Sequence, residues 1–227
     1  PYTAMSTATI FFVMALPMLL YVKERSKPKN ISFEKTFKRI RQESVDSFKL
    51  LKRYREFLKF CVCGLFYQAG IAVVITLSAV YAQLVMKFTT AQITLILVVN
   101  ITAAIGAFVF GYVQDRLGHK KTLALTILLW IIMGVMAAFS HGPVSFWIAA
   151  NIAGIAMGSS QSAGRAVVAV FAPAGELAQF YSAWNVAVWG ANVLGPITYG
   201  TVTWLTSGDQ RTAILVTTLF FVIGLLI

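Results

Sequence analysis

The chain has 227 residues, of which 58% are hydrophobic and only 12% are charged, and its formal net charge is +11. Soluble domains of ordinary composition carry about a quarter charged residues, so this composition excludes a typical soluble protein. The apolar residues come in runs close to the ~20 residues that cross the hydrocarbon core of a bilayer. The sequence therefore predicts an all-α membrane protein with several spanning helices.

Seven apolar segments follow one another along the chain, and each is a predicted membrane span. Their predicted bounds are residues 3–22, 60–85, 93–114, 123–140, 144–171, 177–205 and 212–227. The chain begins at Pro1, with neither an initiator Met nor a basic signal segment, and it stops at Ile227 inside an apolar run. We therefore expect it to be a piece of a longer protein.

The positive charge is concentrated in residues 23–59, between the first two predicted spans. Thirteen of the 19 Lys and Arg residues lie there with five acidic residues, so this segment carries +8. Basic loops between spans are typical of the cytoplasmic side and of contact with anionic lipid, and no nucleic-acid motif accompanies the charge. We therefore expect a cytoplasmic loop and no nucleic-acid partner. Alternation of sides makes the next basic loop, which contains Arg116, cytoplasmic as well.

Hydrophobic residues within this basic segment recur at spacings compatible with one face of a helix. They are Phe33, Phe37, Ile40, Phe48, Leu51 and Leu58. Pro28 ends the preceding span, and Ser32 is a residue type that caps helix N-termini. The pattern predicts a basic amphipathic helix on the membrane surface. A solvated loop with incidental hydrophobic residues is the alternative.

A turn rich in glycine and charge connects the third and fourth predicted spans. It reads Gly111-Tyr-Val-Gln-Asp115-Arg116-Leu-Gly118-His-Lys120-Lys121. Gly111 would permit close approach of a neighbouring helix, Asp115 would cap a helix N-terminus or pair with an Arg, and Gly118 would supply a tight turn. The turn resembles the signature loop of the major facilitator superfamily, G-x-x-x-D-R-x-G-x-[KR]-[KR]. A loop that only fixes membrane topology is the alternative.

The position of this turn implies where the chain lies in the plan of that superfamily. In the family the loop joins the second and third helices of each six-helix half, whereas here it joins the third and fourth spans. The resemblance therefore implies the last helix of an amino-terminal bundle in residues 1–22, an inter-bundle linker in residues 23–59, and helices seven to twelve in residues 60–227. The gate residues that it implies are Gly111, Asp115, Arg116, Gly118, Lys120 and Lys121.

Further segments are similar to the branch of the superfamily that contains vacuolar amino-acid effluxers and their bacterial relatives. They are Phe66–Ile71, Gly158–Arg165, Pro173, Phe180-Tyr181 and Gly195-Pro196. The resemblance implies secondary active transport of a small polar organic solute by alternating access, with an amino acid as the favoured solute. It implies a bacterial inner membrane or, in a eukaryote, a vacuolar membrane.

Polar residues inside the predicted spans are candidates for lining a solute pathway. Asn151, Gly158 and Arg165 recur every seven residues with Gln161 beside them, so they share one helical face. Arg165 and Gln161 are suited to holding a carboxylate or phosphate. An interfacial Arg165, or an Arg165 paired with Asp115, is an equal alternative, with Gly154-x-x-x-Gly158 as plain helix packing.

A second stripe lies in the sixth span, where Asn185, Trp189, Asn192 and Pro196 are spaced four, three and four residues apart. Its amides suit a polar solute or an interhelical hydrogen-bond network. The complete set of predicted substrate-binding residues is Gln68, Asn100, Gln161, Arg165, Asn185, Trp189 and Asn192.

The sequence contains no phosphate-binding loop, metal-ligand spacing or catalytic triad, so we expect neither an enzyme nor a bound metal or cofactor. The predicted partners are the lipid bilayer, a small-molecule substrate and an amino-terminal helical bundle. One alternative is a transporter-like structural subunit of a membrane complex without transport activity. A seven-helix receptor is a poorer one, because the signature turn has no role there.

Overall fold

The computed structural model of the chain describes residues 2–21, 53–89 and 99–227. These residues form seven α-helices and no strand, which confirms the predicted all-α fold. The chain divides into two compact units, Pro1–Val45 and Asp46–Ile227. In the first unit the described part is helix α1 (Tyr2–Tyr21), which contains Pro17.

Six helices make up the described part of the second unit. They are α2 (Arg55–Leu84), α3 (Val99–Leu117), α4 (His119–Ala138), α5 (Pro143–Phe171), α6 (Leu177–Leu205) and α7 (Gln210–Leu226). Their order and bounds follow the predicted spans within a few residues. The predicted start of the third span, at Ile93, lies outside the described residues.

Helix α2 begins at Arg55, about one turn before the predicted start of its span at Phe60. The reason is that Phe57 is fully buried, so the apolar surface of this helix extends into the basic segment. Leu58, assigned to the surface helix in the sequence, therefore belongs to α2. The rest of that predicted helix lies outside the described residues, and the division into bundle and linker remains a prediction.

Three of the described helices are long and apolar enough to cross a membrane, namely Ala4–Tyr21 within α1, α2 and α4. Helices α5 and α6 have 29 residues each, which corresponds to about 44 Å, so they are long enough to span a bilayer. Their polar residues lower their mean hydropathy, as in membrane helices that direct polar groups toward protein.

The six helices of the second unit pack as two groups of three, one formed by the consecutive helices α3, α4 and α5 and the other by α2 together with α6 and α7. Helix α2 packs against α6 and α7, whereas α5 packs against α3 and α4. The two groups meet chiefly along α4 and α7, and α2 and α5 make few contacts with each other. The backbones of α2 and α5 are therefore separated by a cleft, which side chains such as those of Phe57 and Phe171 span.

An aromatic cluster fills the predicted cytoplasmic end of the bundle. The rings of Phe60 and Trp184 stack with centroids 4.7 Å apart, and those of Phe57 and Phe180 are 4.4 Å apart. Tyr54, just before α2, meets Phe180 edge to face at 5.3 Å. Buried aromatic pairs of this kind add stabilisation beyond their area alone, so the cluster fixes the start of α2 against α6.

Helices α3 and α5 approach each other closely at two glycines of α5. A Cβ atom on Gly158 would lie 1.9 Å from the backbone oxygen of Ala103, and one on Gly154 would lie 2.3 Å from Thr102 Oγ1. This arrangement agrees with the interpretation of Gly154-x-x-x-Gly158 as a packing motif. It also fixes which face of α5 is turned toward α3.

At the opposite end of the bundle, the first turn of α7 is tied to the α4–α5 turn. Arg211 Nη2 donates to the backbone oxygen of Ser140 at 2.7 Å, and Arg211 Nη1 lies 3.3 Å from His141 Nε2. Asp209 caps α7, since its carboxylate accepts from the Arg211 amide at 2.9 Å and from Thr212 Oγ1 at 2.5 Å. These bonds hold the start of α7 beside the α4–α5 turn.

Candidate functional site

A cavity of about 400 Å³ lies between the two groups of three helices. All six helices line it, through residues that include Ser78 and Tyr81 of α2, Asn100 of α3, Trp130 of α4, Ala153 of α5, Tyr199 of α6 and Ile214 of α7. Ile75 and Asn100 are exposed members of this lining, so they mark its mouth. In the predicted topology the cavity lies in the external half of the bundle.

The polar groups in the cavity wall are mostly engaged with neighbouring helices. Tyr81 Oη donates to the backbone oxygen of Ala137 at 2.8 Å. Tyr199 Oη donates to Gln210 Oε1 at 2.6 Å, and Trp130 Nε1 donates to a serine hydroxyl of α5 at 3.3 Å. None of the described lining residues is charged. The wall is therefore largely apolar.

Two of the predicted substrate-binding residues are brought together, Gln68 on α2 and Gln161 on α5. Gln161 Nε2 donates to Gln68 Oε1 at 3.4 Å, and the Gln68 side chain is buried. The other contacts between α2 and α5 include ring contacts such as Tyr81 with Phe146, so this hydrogen bond is a polar bridge across the cleft. Neither residue lines the cavity itself.

Asn100 is the one predicted substrate-binding residue among those that line the cavity. It lies in the first described turn of α3 and is exposed. This position places an amide at the mouth, where a solute would pass before reaching the apolar wall.

Arg165 does not line the cavity. It is exposed near the predicted cytoplasmic end of α5, and its backbone oxygen accepts a hydrogen bond from Tyr181 Oη at 2.9 Å. Its guanidinium group forms no ion pair within the described residues, so the alternative pairing with Asp115 is not formed there. The exposure of Arg165 agrees with the interfacial alternative.

The second predicted stripe lies on an exposed face of α6. Asn185, Trp189 and Asn192 are all exposed, with Trp189 at 70%, and none of them is among the residues that line the cavity. Their spacing does place them on one side of the helix, as predicted. Pro196, the last member of the stripe, lies inside α6 and is partly buried.

The signature turn connects α3 directly to α4. Gly118 has a φ of +82°, which an L side chain rarely adopts, and its amide donates to the Gln114 oxygen at 2.9 Å, so the predicted tight turn is confirmed. Asp115 lies inside the last turn of α3, and Gly118 holds the cap position of α4. The prediction that Asp115 caps a helix N-terminus is therefore wrong.

The remaining gate residues are open to their surroundings within the described part of the chain. A Cβ atom on Gly111 would meet nothing within 4 Å, so the close helix approach predicted there is not made by the described residues. Arg116, Lys120 and Lys121 are exposed, as expected for residues at a membrane surface.

Sequence reasoning missed most of the cavity. Trp130 and Met133 lie in a helix whose apolar residues occur on every side, so no periodicity distinguishes a cavity-facing position from a lipid-facing one. Tyr199 likewise carried no signal. Asn100 was the predicted residue that pointed toward the cavity, and Ser78 and Tyr81, which share a face of α2, line it as well.

A bundle of six membrane helices, built as two groups of three with a cavity between them, has the fold of a major facilitator transporter half. The same fold is found in the fucose:proton symporter FucP of Escherichia coli, with a TM-score of 0.69 and 20% identity, covering 98% of this chain and 52% of that one. A bacterial homologue of the human lysosomal transporter Spinster, inward-facing and unoccupied, matches with a TM-score of 0.57 and 16% identity, over 94% of this chain and 55% of that one. At these identities the likeness shows the fold alone.

The chain belongs to the family described as vacuole effluxer Atg22 like, whose family model matches residues 2–227. It is 26% identical over 224 residues to YxiO of Bacillus subtilis (strain 168), an uncharacterized MFS-type transporter, covering 97% of this chain and 51% of that protein. The predicted membership in the major facilitator superfamily is thus confirmed. The chain spans about half the length of the relatives that it matches.

Proposed function

We propose that the full-length protein carrying this chain is a secondary active transporter that moves a small polar organic solute by alternating access, with an amino acid as the favoured solute. The observation that carries the proposal is the cavity between the two groups of three helices, beside the cleft that separates α2 from α5. Family membership supports the same activity. A bacterial inner membrane is the favoured location.

The proposed pathway needs a second helical bundle, because one bundle offers only one wall. Exposed apolar residues on two helices support such a partner. They are Phe108 and Tyr112 on α3, at 68% and 62% exposed, and Val193 and Ile197 on α6, at 60% and 62%. In this proposal the exposed stripe of α6 faces the pathway or the second bundle, and lipid surrounds the rest.

Within the proposed transport cycle, Asn100 is the first polar contact at the cavity mouth, and the Gln68–Gln161 bridge closes the cleft below it. The two bundles of such transporters rock around a midplane site, so contacts across a cleft form and break during the cycle. The signature turn between α3 and α4 would act as the gate at the predicted cytoplasmic end.

The proposal is tested by reconstituting the purified full-length protein in lipid vesicles and measuring uptake of a panel of radiolabelled amino acids and sugars. Saturable uptake of an amino acid supports it. Uptake of sugars only would overturn the solute class. Absence of any flux, together with stable co-purification of other membrane subunits, would favour the structural-subunit alternative.

The gate role of Asp115 is tested separately by Asp115→Asn in the same vesicles. We expect slower uptake with an unchanged unfolding temperature, because the Asp115 side chain is exposed and makes no described contact that folding depends on. Asp209→Asn at the opposite end is the matched control, since Asn also caps helices. Unchanged uptake by the Asp115 variant removes this residue from the gate.

A further inference from the structure

Trp130 is the most deeply buried large side chain of the cavity wall. It is fully buried, whereas Ile75 and Asn100 at the mouth are exposed. The mouth lies on α2 and α3, whereas Trp130 lies on α4, and because its side chain has no exposed surface the indole backs the cavity wall away from the mouth.

Two contacts hold the Trp130 ring in one orientation. Its ring stacks on Phe221 of α7 with centroids 5.3 Å apart and planes 5° apart. Its Nε1 donates to Ser160 Oγ of α5 at 3.3 Å. Because these contacts come from two different helices, the indole is a fixed wall rather than a side chain that moves aside.

The rest of the cavity wall is largely apolar, and on α5 it includes small residues. Val73, Val74 and Leu77 line it from α2, and Ala149 and Ala153 line it from α5. With Tyr81 and Tyr199 already hydrogen-bonded to other helices, the wall offers few partners to a polar group. A hydroxylated group placed there would lose its hydration without compensation, whereas an apolar group would gain from burial.

We propose that Trp130 is a specificity-determining residue of the proposed transporter. Its indole sets how large an apolar group of the solute fits into the cavity away from the mouth, while the polar part of the solute remains toward the mouth. The inference rests on the proposed function, because it concerns which solutes are accepted and not whether transport occurs.

The test uses the reconstituted full-length protein and a series of neutral amino acids whose apolar side chains increase in size from Ala to Trp. Each amino acid of the series is added as a competitor, and the uptake of one transported, radiolabelled amino acid is measured. Trp130→Phe replaces the indole by a smaller ring that can still stack on Phe221. One methylene in an apolar pocket changes selectivity by about tenfold or more, so we expect preference to shift by about tenfold toward larger side chains. Trp204→Phe is the matched control, since Trp204 is 79% exposed and does not line the cavity.

A second variant changes the size of the same cavity from α5 and leaves Trp130 unchanged. Ala153→Leu fills the space, so we expect preference to shift toward smaller side chains. Thermal unfolding of each variant confirms that it folds, and if Trp130→Phe does not fold, Trp130→Leu, which also replaces the indole by a smaller apolar group, takes its place. An unchanged size preference with retained uptake would overturn the inference and leave the proposed function standing. Absence of amino-acid uptake by the unmodified protein would instead refute the proposed function.

Discussion

Gly158 lies where helices α3 and α5 pack closely against each other. Because a Cβ atom there would lie 1.9 Å from the Ala103 oxygen, Gly158→Ala forces the two helices apart. Overpacking of this kind costs about 1–3 kcal/mol of unfolding free energy. We expect a lower unfolding temperature in detergent.

The matched control for this substitution is Gly200→Ala in α6, where an added Cβ meets nothing within 4 Å. Removing an exposed helical glycine leaves stability unchanged or raises it by up to about 1 kcal/mol. Equal destabilisation by the two substitutions would contradict the close α3–α5 contact.

Asp209 gives the start of α7 a dependence on pH. The hydrogen bond from Thr212 lowers the pKa of Asp209 below its ordinary value of 3.8, and backbone amides and the Arg211 charge lower it further. The unfolded state therefore binds more protons as the pH falls. The stability due to this carboxylate is present above its ordinary pKa and is lost as the pH falls through the folded value.

Replacing Asp209 by Asn keeps a capping side chain but removes the titration. We expect Asp209→Asn to flatten the loss of stability between about pH 5 and about pH 3, measured by thermal unfolding or by amide exchange in the first turn of α7. An identical acid-induced loss in the variant and the parent protein would show that other carboxylates cause it.

Single residues also show how far sequence reasoning reached. The turn at Gly118 could be predicted because a glycine between two apolar runs has few other roles. The cap at Asp115 could not be excluded, because its assignment depended on whether α3 ended before or after that residue, and helix ends are poorly defined by composition. Its carboxylate is instead placed in the last turn of α3.

At the scale of helices, the Gln68–Gln161 bridge is the clearest polar contact between α2 and α5. Replacing Gln161 by Leu leaves the buried Gln68 amide without its partner, which costs about 1–3 kcal/mol. Replacing both glutamines by Leu removes the unpaired group, so we expect the double variant to be more stable than the single one. A double-mutant cycle of unfolding free energies measures this coupling.

The same double-mutant cycle can also show that the two glutamines do not interact. Additive effects of the two substitutions would mean that the two amides act independently, despite their separation of 3.4 Å. Uptake measured on the same variants then separates a contact needed only for folding from one that also takes part in transport.

The order and extent of the helices were predictable, because apolar runs of spanning length are a strong signal even without periodicity. Their neighbours were not predictable. The apolar residues of α2 do not indicate that it packs against α6 and α7 instead of α3. An apolar helix surface can contact lipid tails as well as another helix. The cavity depends on that choice of neighbours, so its wall could not be derived from the sequence.

For the whole molecule, the proposed pathway requires two bundles. We expect the present chain, expressed alone and reconstituted, to show no saturable uptake, because the exposed faces of α3 and α6 would lack their partner. Co-expression with the rest of the protein as a separate chain should restore uptake. Full activity of the isolated chain would contradict the two-bundle pathway.

The packing of α2 against helices that lie far along the chain has a consequence for biosynthesis. The two partners of the Gln68–Gln161 bond are 93 residues apart in the chain. Helix α2 leaves the ribosome long before α5, α6 and α7, so its buried face, including Gln68, has no native neighbour during that interval. We therefore expect the native packing of α2 to form only after α6 and α7 have been made.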